Sequence, residues 1–161
     1  MVWGVLMDFR FVADSMLGRL AKWLRVVGYD THYQPYYTSG TLGHMVQDGR
    51  CLLSRNRSAT DRYPHSMFIR SDHVKDQLHE MLEMDSLAPD RSRWFSRCLV
   101  CNESLRIAEE EAARENVPEY VYYGNMKAIR FCPSCGRYFW PGTHRKRMIA
   151  QLEEWGFTGA F

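Results

Sequence analysis

Up to about residue 85 the apolar positions of this chain switch repeatedly between a strand-like and a helical rhythm, and the switches predict its elements. Residues 9–13 form a short β-favouring run that ends at Asp14. Leu17, Leu20, Ala21 and Leu24 then recur at helical spacing, and Gly28 supplies a helix stop. Asp30 to Gln34 reads as a second strand and Tyr36 to Gly40 as a loop, with a short helix over Leu42 to Gln47 closed by Asp48-Gly49. A third strand, Arg50 to Ser54, ends in the polar cluster Ser54-Arg55-Asn56-Arg57. A fourth, Ser66 to Arg70, precedes a helix with Val74, Leu78, Met81 and Leu82 on one face. Strands alternating with helices predict an α/β fold, a parallel sheet with helices on its faces.

The rhythm breaks at Leu87 to Arg97, which reads as a linker dividing an α/β domain (1–90) from a small module with a C-terminal helix (91–161). In the second part a charged helical segment spans Ile107 to Asn116. A last helix starts near Thr143 and carries Met148, Leu152 and Trp155. The length of 161 residues suits one such domain plus an appendage.

Five cysteines change the picture more than the composition does. Cys98-Leu-Val-Cys101 and Cys132-Pro-Ser-Cys135-Gly136 are two tight turns, each presenting a pair of thiolates. Four soft ligands in a tetrahedron are what a structural Zn²⁺ prefers, so Cys98, Cys101, Cys132 and Cys135 are predicted to bind one ion. Gly136 lets the backbone curl under the metal. Two unliganded or redox-active pairs are the alternative. Cys51, in an apolar run, reads as a buried core cysteine. An odd cysteine count points to a reducing compartment, and Asp8 and Arg10 interrupt the N-terminal apolar run, so a cytoplasmic chain without a signal peptide is expected. No stretch approaches 18 apolar residues, which argues against a membrane span.

The net charge of +2 hides an asymmetry. Residues 1–90 carry 10 Lys/Arg against 11 Asp/Glu, whereas residues 91–161 carry 11 against 8. Lys127, Arg130, Arg137, Arg145, Lys146 and Arg147 form a run with no intervening acid, interleaved with Phe131, Tyr138, Phe139 and Trp140. Cations of this kind hold phosphates while aromatics stack on bases, which points to a polyanionic partner such as a nucleic acid. Arg19, Lys22 and Arg25, read on the polar side of the first helix, and Arg55 and Arg57 extend the candidate path. Packing of the aromatics between ribbon and main domain is the competing reading. His144 reads either as a substitute metal ligand or phosphate contact, or as a plain surface histidine.

The segments FVADSMLGRLAKWLRVVGYDTHY, GRCLLSRNR, RCLVCNESL and FCPSCGRYFWPGTH resemble, in order and spacing, one family over about residues 9–148. It is the C-terminal ribonuclease-like domain of mutator-type exonucleases, found also as a stand-alone bacterial protein. The resemblance implies a PIN-like sheet with a zinc ribbon. It also implies acids at the carboxyl ends of the strands that gather Mg²⁺ or Mn²⁺ to hydrolyse RNA.

Asp14 matches the family's first acid. The family's strand-ending Thr-Arg-Asp stands here as Ser54-Arg55-Asn56, and a second acidic position falls in Ser39-Gly40-Thr41. Asp72 is the candidate for a surviving distal acid. Asp14, Asp72 and Asn56 are thus the candidate catalytic set, reduced in charge, although Asp14 and Asp72 equally suit helix N-caps. The expectation is an RNA-binding or RNA-processing protein of ribonuclease type with an eroded acidic site. The alternative is an inactive nuclease fold that holds RNA or a protein partner.

Overall fold

The computed structural model of the chain describes residues 8–158. The first half alternates as the apolar rhythm dictates. β1 (Phe11–Ala13) is followed by a 3₁₀ turn over Ser15–Leu17 and α1 (Gly18–Val26). Then come β2 (Thr31–Tyr33), α2 (Ser39–Gln47), β3 (Cys51–Ser54), α3 (Arg57–Arg62), β4 (Ser66–Phe68) and α4 (Val74–Glu83). The four strands are parallel in the order β2-β1-β3-β4, with Phe11 opposite Thr31 on one side and Cys51 on the other.

Strand parity sorts the side chains. Phe11, Ala13, Cys51 and Leu53 point into a core shared with Leu17, Leu20, Ala21 and Leu24 of the first helical stretch and with Leu78 and Met81 of α4. Burial pushes the Cys51 thiol up to about 12, so it stays protonated and inert. With right-handed crossovers, the reversal of direction between β2 and β3 puts α2 and α3 on the other face. Both helices are shallow, with no fully buried residue.

Three local differences from the sequence expectations have physical causes. α2 starts at Ser39 because the Thr38 hydroxyl accepts from the Thr41 N–H, so the capped turn extends into the expected loop. α3 carries no apolar periodicity; it is set by Asn56, whose side-chain oxygen accepts from the Ser58 N–H at 2.9 Å. The helix expected over 107–116 is shorter, because Arg106 and Ile107 pair with Phe131 and Arg130 instead.

The second part is a three-stranded antiparallel ribbon, β5 (Arg106–Ile107), β6 (Arg130–Phe131) and β7 (Tyr138–Phe139), in the order β5-β6-β7. The short helices α5 (Glu110–Asn116) and α6 (Glu119–Asn125) are inserted between β5 and β6, and α7 (Thr143–Glu154) closes the chain. α5 and α6 enclose their own small core of Ala113, Val117, Val121, Tyr122 and Ile129, against which Tyr138 and Trp140 pack.

The segment expected to be a linker is packed rather than free. Leu87 and Trp94 are buried in the main core. Gly28, at φ +96, lets residue 93 approach so closely that a Cβ would lie 2.6 Å from the Arg93 carbonyl oxygen. From α7, Met148 and Leu152 enter the same core with Phe157 just beyond, and Trp155 meets Trp23 edge-on at 4.8 Å between ring centroids. No described helix is long and apolar enough to cross a membrane.

Candidate metal centre, acidic edge and cationic surface

The two Cys-x-x-Cys turns have matching geometry. In the first, the Cys101 N–H points at Cys98 Sγ (3.4 Å) and the Asn102 N–H donates to the Cys98 carbonyl (2.9 Å). In the second, the Cys135 N–H points at Cys132 Sγ (3.5 Å) and the Gly136 N–H donates to the Cys132 carbonyl (2.9 Å). The residue after each turn is left-handed, Asn102 at φ +68 and Gly136 at φ +73, which Asn and Gly tolerate best.

All four sulfurs lie within 4.8 Å of one another. Zinc–sulfur bonds of about 2.3 Å in a tetrahedron put sulfurs about 3.8 Å apart, and Cys98 Sγ and Cys135 Sγ are separated by 3.8 Å. The quartet can therefore hold a metal such as zinc. Cys98 and Cys132 are fully buried, while the backbone N–H of Arg137 holds the Cys135 thiol down at about 6. All four positions belong to the protein, the pattern of a closed structural site.

Residues the sequence reading missed dock this centre onto the sheet. Arg25, expected on the polar face of α1, is only 7% exposed. Its guanidinium donates to the carbonyls of Thr31 (2.9 Å), Leu99 (3.0 Å) and Val100 (3.1 Å). It thus ties the first cysteine turn to β2 and offers nothing to RNA. Asn102 adds a second tie: its Oδ1 accepts from the Thr31 N–H (2.9 Å) and its Nδ2 donates to Asp30 (2.6 Å). Asp30 is ion-paired with Arg50 at 2.7 Å. Burial alone would raise the Asp30 pKa, but the hydrogen bonds from Arg50 and Asn102 outweigh it and hold the carboxyl below its usual range.

At the carboxyl ends of the strands, Asp14 and Asn56 are joined through Ser54. The Ser54 hydroxyl donates to Asp14 Oδ2 (2.7 Å) and accepts from the Asn56 N–H (3.0 Å). Asp14 Oδ1 takes the Met16 N–H and the Ser15 hydroxyl, both at 3.2 Å, so Asp14 caps the 3₁₀ turn. Asn56 caps α3.

Asp72 stands apart from this pair. It is ion-paired with Arg55, its side chain is 71% exposed, and it does not cap α4, whose N-cap is His73. It lines a groove of about 540 Å³ with Arg19, Lys22, His73 and Lys75. Glu80 was missed in the sequence; it accepts from the Arg70 and Ser71 N–H groups and pins the loop that carries Asp72. Among the described residues, the cysteine quartet is the group of three or more His, Cys, Asp or Glu side chains placed to hold an ion.

The candidate cations divide by partner. Arg55 is engaged by Asp72, and Arg57 lies over the Phe68 ring at 4.3 Å. Lys127, Arg130, Arg137, Lys146 and Arg147 are exposed, and Arg145 lies over the Phe95 ring at 4.6 Å. His144 is an exposed residue of the first turn of α7, outside the metal centre.

No curated protein and no solved structure matches the chain. The family model described as the Mut7-C RNAse domain matches residues 9–152, nearly all of the fold just described. With its parallel sheet, flanking helices and cysteine quartet, this chain belongs to the Mut7-C RNAse domain family.

Proposed function

We propose that this ribonuclease-like chain binds RNA along the cationic stretch from Lys127 to Arg147, with zinc in the cysteine quartet holding that stretch against the sheet. The observation that carries the reading is the charge pattern. Six cations follow one another without an acid, five are exposed, and among the described residues none of the six is in an ion pair. A solvated face normally mixes signs; a single-sign stretch beside half-exposed aromatics suits a phosphate backbone.

The test is RNA binding by fluorescence anisotropy across a salt series. Arg145, Lys146 and Arg147→Ala together should weaken binding and flatten the log–log salt slope by about 2, at about 0.7 for each phosphate contact on a single strand. Binding that survives the triple substitution with an unchanged slope contradicts the assignment.

A second reading, metal-dependent hydrolysis, is favoured by the position of Asp14 at the end of β1. The donor set does not fit a pair of hard cations. Such a centre draws on several free carboxylates. Here both Asp14 oxygens accept protein hydrogen bonds, Asn56 brings no charge and caps α3, and Asp72 is neutralised by Arg55. We therefore assign RNA holding without cleavage as the role of this chain. Incubation of RNA with Mg²⁺ or Mn²⁺ tests this: cleavage abolished by Asp14→Asn would establish hydrolysis, and cleavage gained by Asn56→Asp would identify the missing acid.

A further inference from the structure

Between the ribbon and the first turn of α7 lies a cavity of about 240 Å³. Among the described residues, its walls include the aromatic residues Phe95, Phe139 and Trp140 and the cationic residues Arg97, Arg130 and Arg145, and none of them is acidic. We propose that this cavity receives one unpaired base of an RNA strand, stacked on its aromatic wall, while Arg130 and Arg145 hold the adjoining phosphates. The inference rests on the RNA-binding reading above and names the grip of that same surface.

Size, chemistry and charge all point to this occupant. The cavity lies below the range of about 300–1,000 Å³ that holds drug-sized ligands, so it suits a single ring system. Among the described residues, Phe139 belongs to neither hydrophobic core, unlike its neighbour Tyr138, and it lines the cavity. Phe95 is held in a left-handed backbone conformation, φ +58, with its N–H bonded to the Val26 carbonyl at 2.7 Å. Bulky residues rarely adopt that conformation, and strain of this kind concentrates at ligand clamps.

The cations are poised for an anion. Among the described residues, Arg130 and Arg145 make no ion pair, while the Arg97 guanidinium is already engaged by the Asn102 carbonyl at 2.8 Å. Arg145 is anchored over Phe95, and burial together with the nearby charge of Arg130 depresses its pKa. Two guanidinium groups that repel each other gain most from a phosphate between them. α7 adds its uncapped first turn, since Gly142 offers no side chain to the N–H groups that open beside the cavity. An acidic peptide could neutralise the arginines but has no reason to fill an aromatic slot.

The test uses the whole 161-residue chain, zinc-loaded, and a short single-stranded RNA carrying one 2-aminopurine. The probe's fluorescence should be quenched on binding, as the base stacks in the cavity. Phe139→Leu should abolish the quench and weaken binding about 5- to 150-fold, the loss of one stacked base. Arg130→Gln with Arg145→Gln should lower the salt slope by about 1.4, at about 0.7 for each phosphate contact on a single strand. An RNA with an abasic site in place of the probe should bind parent and Phe139→Leu equally. Zinc content and near-ultraviolet circular dichroism check that Phe139→Leu is folded, and the arginine pair gives a second readout at partly or fully exposed positions. Tight RNA binding with the quench and slope unchanged in these variants overturns the cavity assignment while RNA binding stands. No RNA binding by the parent chain overturns both.

Discussion

Replacing Arg25 by methionine removes the strut between the metal centre and the sheet while keeping most of the volume. The guanidinium makes three hydrogen bonds to backbone carbonyls and is 7% exposed. At the low end for bonds involving a charged group, about 1.5 kcal/mol each, the loss is about 4.5 kcal/mol. Burying an apolar side chain in place of a desolvated cation returns part of that, leaving about 3 kcal/mol. For a chain of this size, a Tm drop of about 2–4 °C per kcal/mol gives about 6–12 °C. Differential scanning calorimetry of the zinc-loaded protein reads this directly. Arg25→Lys should recover little, because one ammonium cannot span three carbonyls that a planar fork reaches. A Tm within about 2 °C of the parent for Arg25→Met would refute the view that this residue docks the cysteine turn.

Other expectations follow from the same geometry. Gly28→Ala should destabilise by at least about 1–2 kcal/mol from its left-handed backbone alone, with more from the clash at Arg93, read by chemical denaturation. Metal analysis should find one zinc per chain. Cys132→Ser should lose it, and chelation should erase near-ultraviolet signal from the ribbon aromatics, since binding of such an ion is coupled to folding. Asp30 supplies a pH dependence: its folded pKa lies below the unfolded value of about 3.9, so its contribution is present above that value and fades as pH falls through the folded pKa. An Asp30→Asn variant should lack that part of the acid-induced fall in Tm. An unchanged acid profile would mean that the Arg50–Asp30–Asn102 contacts do not stabilise the docked ribbon.

What the sequence disclosed and what it concealed follow from how far each signal reaches. The four strands and the helices α1, α4 and α7 write their burial into periodic apolar positions such as Leu17, Leu20 and Leu24, so their pattern was legible. The cysteine quartet was legible for a different reason: metal geometry fixes ligand spacing within each turn. α3 and α6 were missed because they are short and held by context, α3 by the Asn56 cap and α6 by a small core shared with α5. Arg25 was misplaced because helical position cannot distinguish a solvated arginine from one aimed at three carbonyls 6 to 75 residues away. Asn102 carried a faint cue, since it occupies the position after a cysteine pair that Gly136 occupies in the other. The cavity wall was legible in part: Phe139, Trp140, Arg130 and Arg145 stood in the basic, aromatic run, whereas Phe95 comes from a stretch expected to be a linker.

The acidic edge shows the same limit. The loss of formal charge at Asn56 was visible, whereas the engagement of the remaining carboxylates was not. On the reading proposed above, that engagement favours holding over cleavage. Asp14 serves a turn, Asp72 serves Arg55, and among the described residues the cations from Lys127 to Arg147 make no ion pair.

The most direct measurement is the length and occupancy of RNA recovered from the zinc-loaded protein after incubation with Mn²⁺. The account predicts saturable, salt-sensitive binding with the RNA recovered at full length. Asp14-dependent fragments, or the absence of saturable binding at low salt, would contradict it.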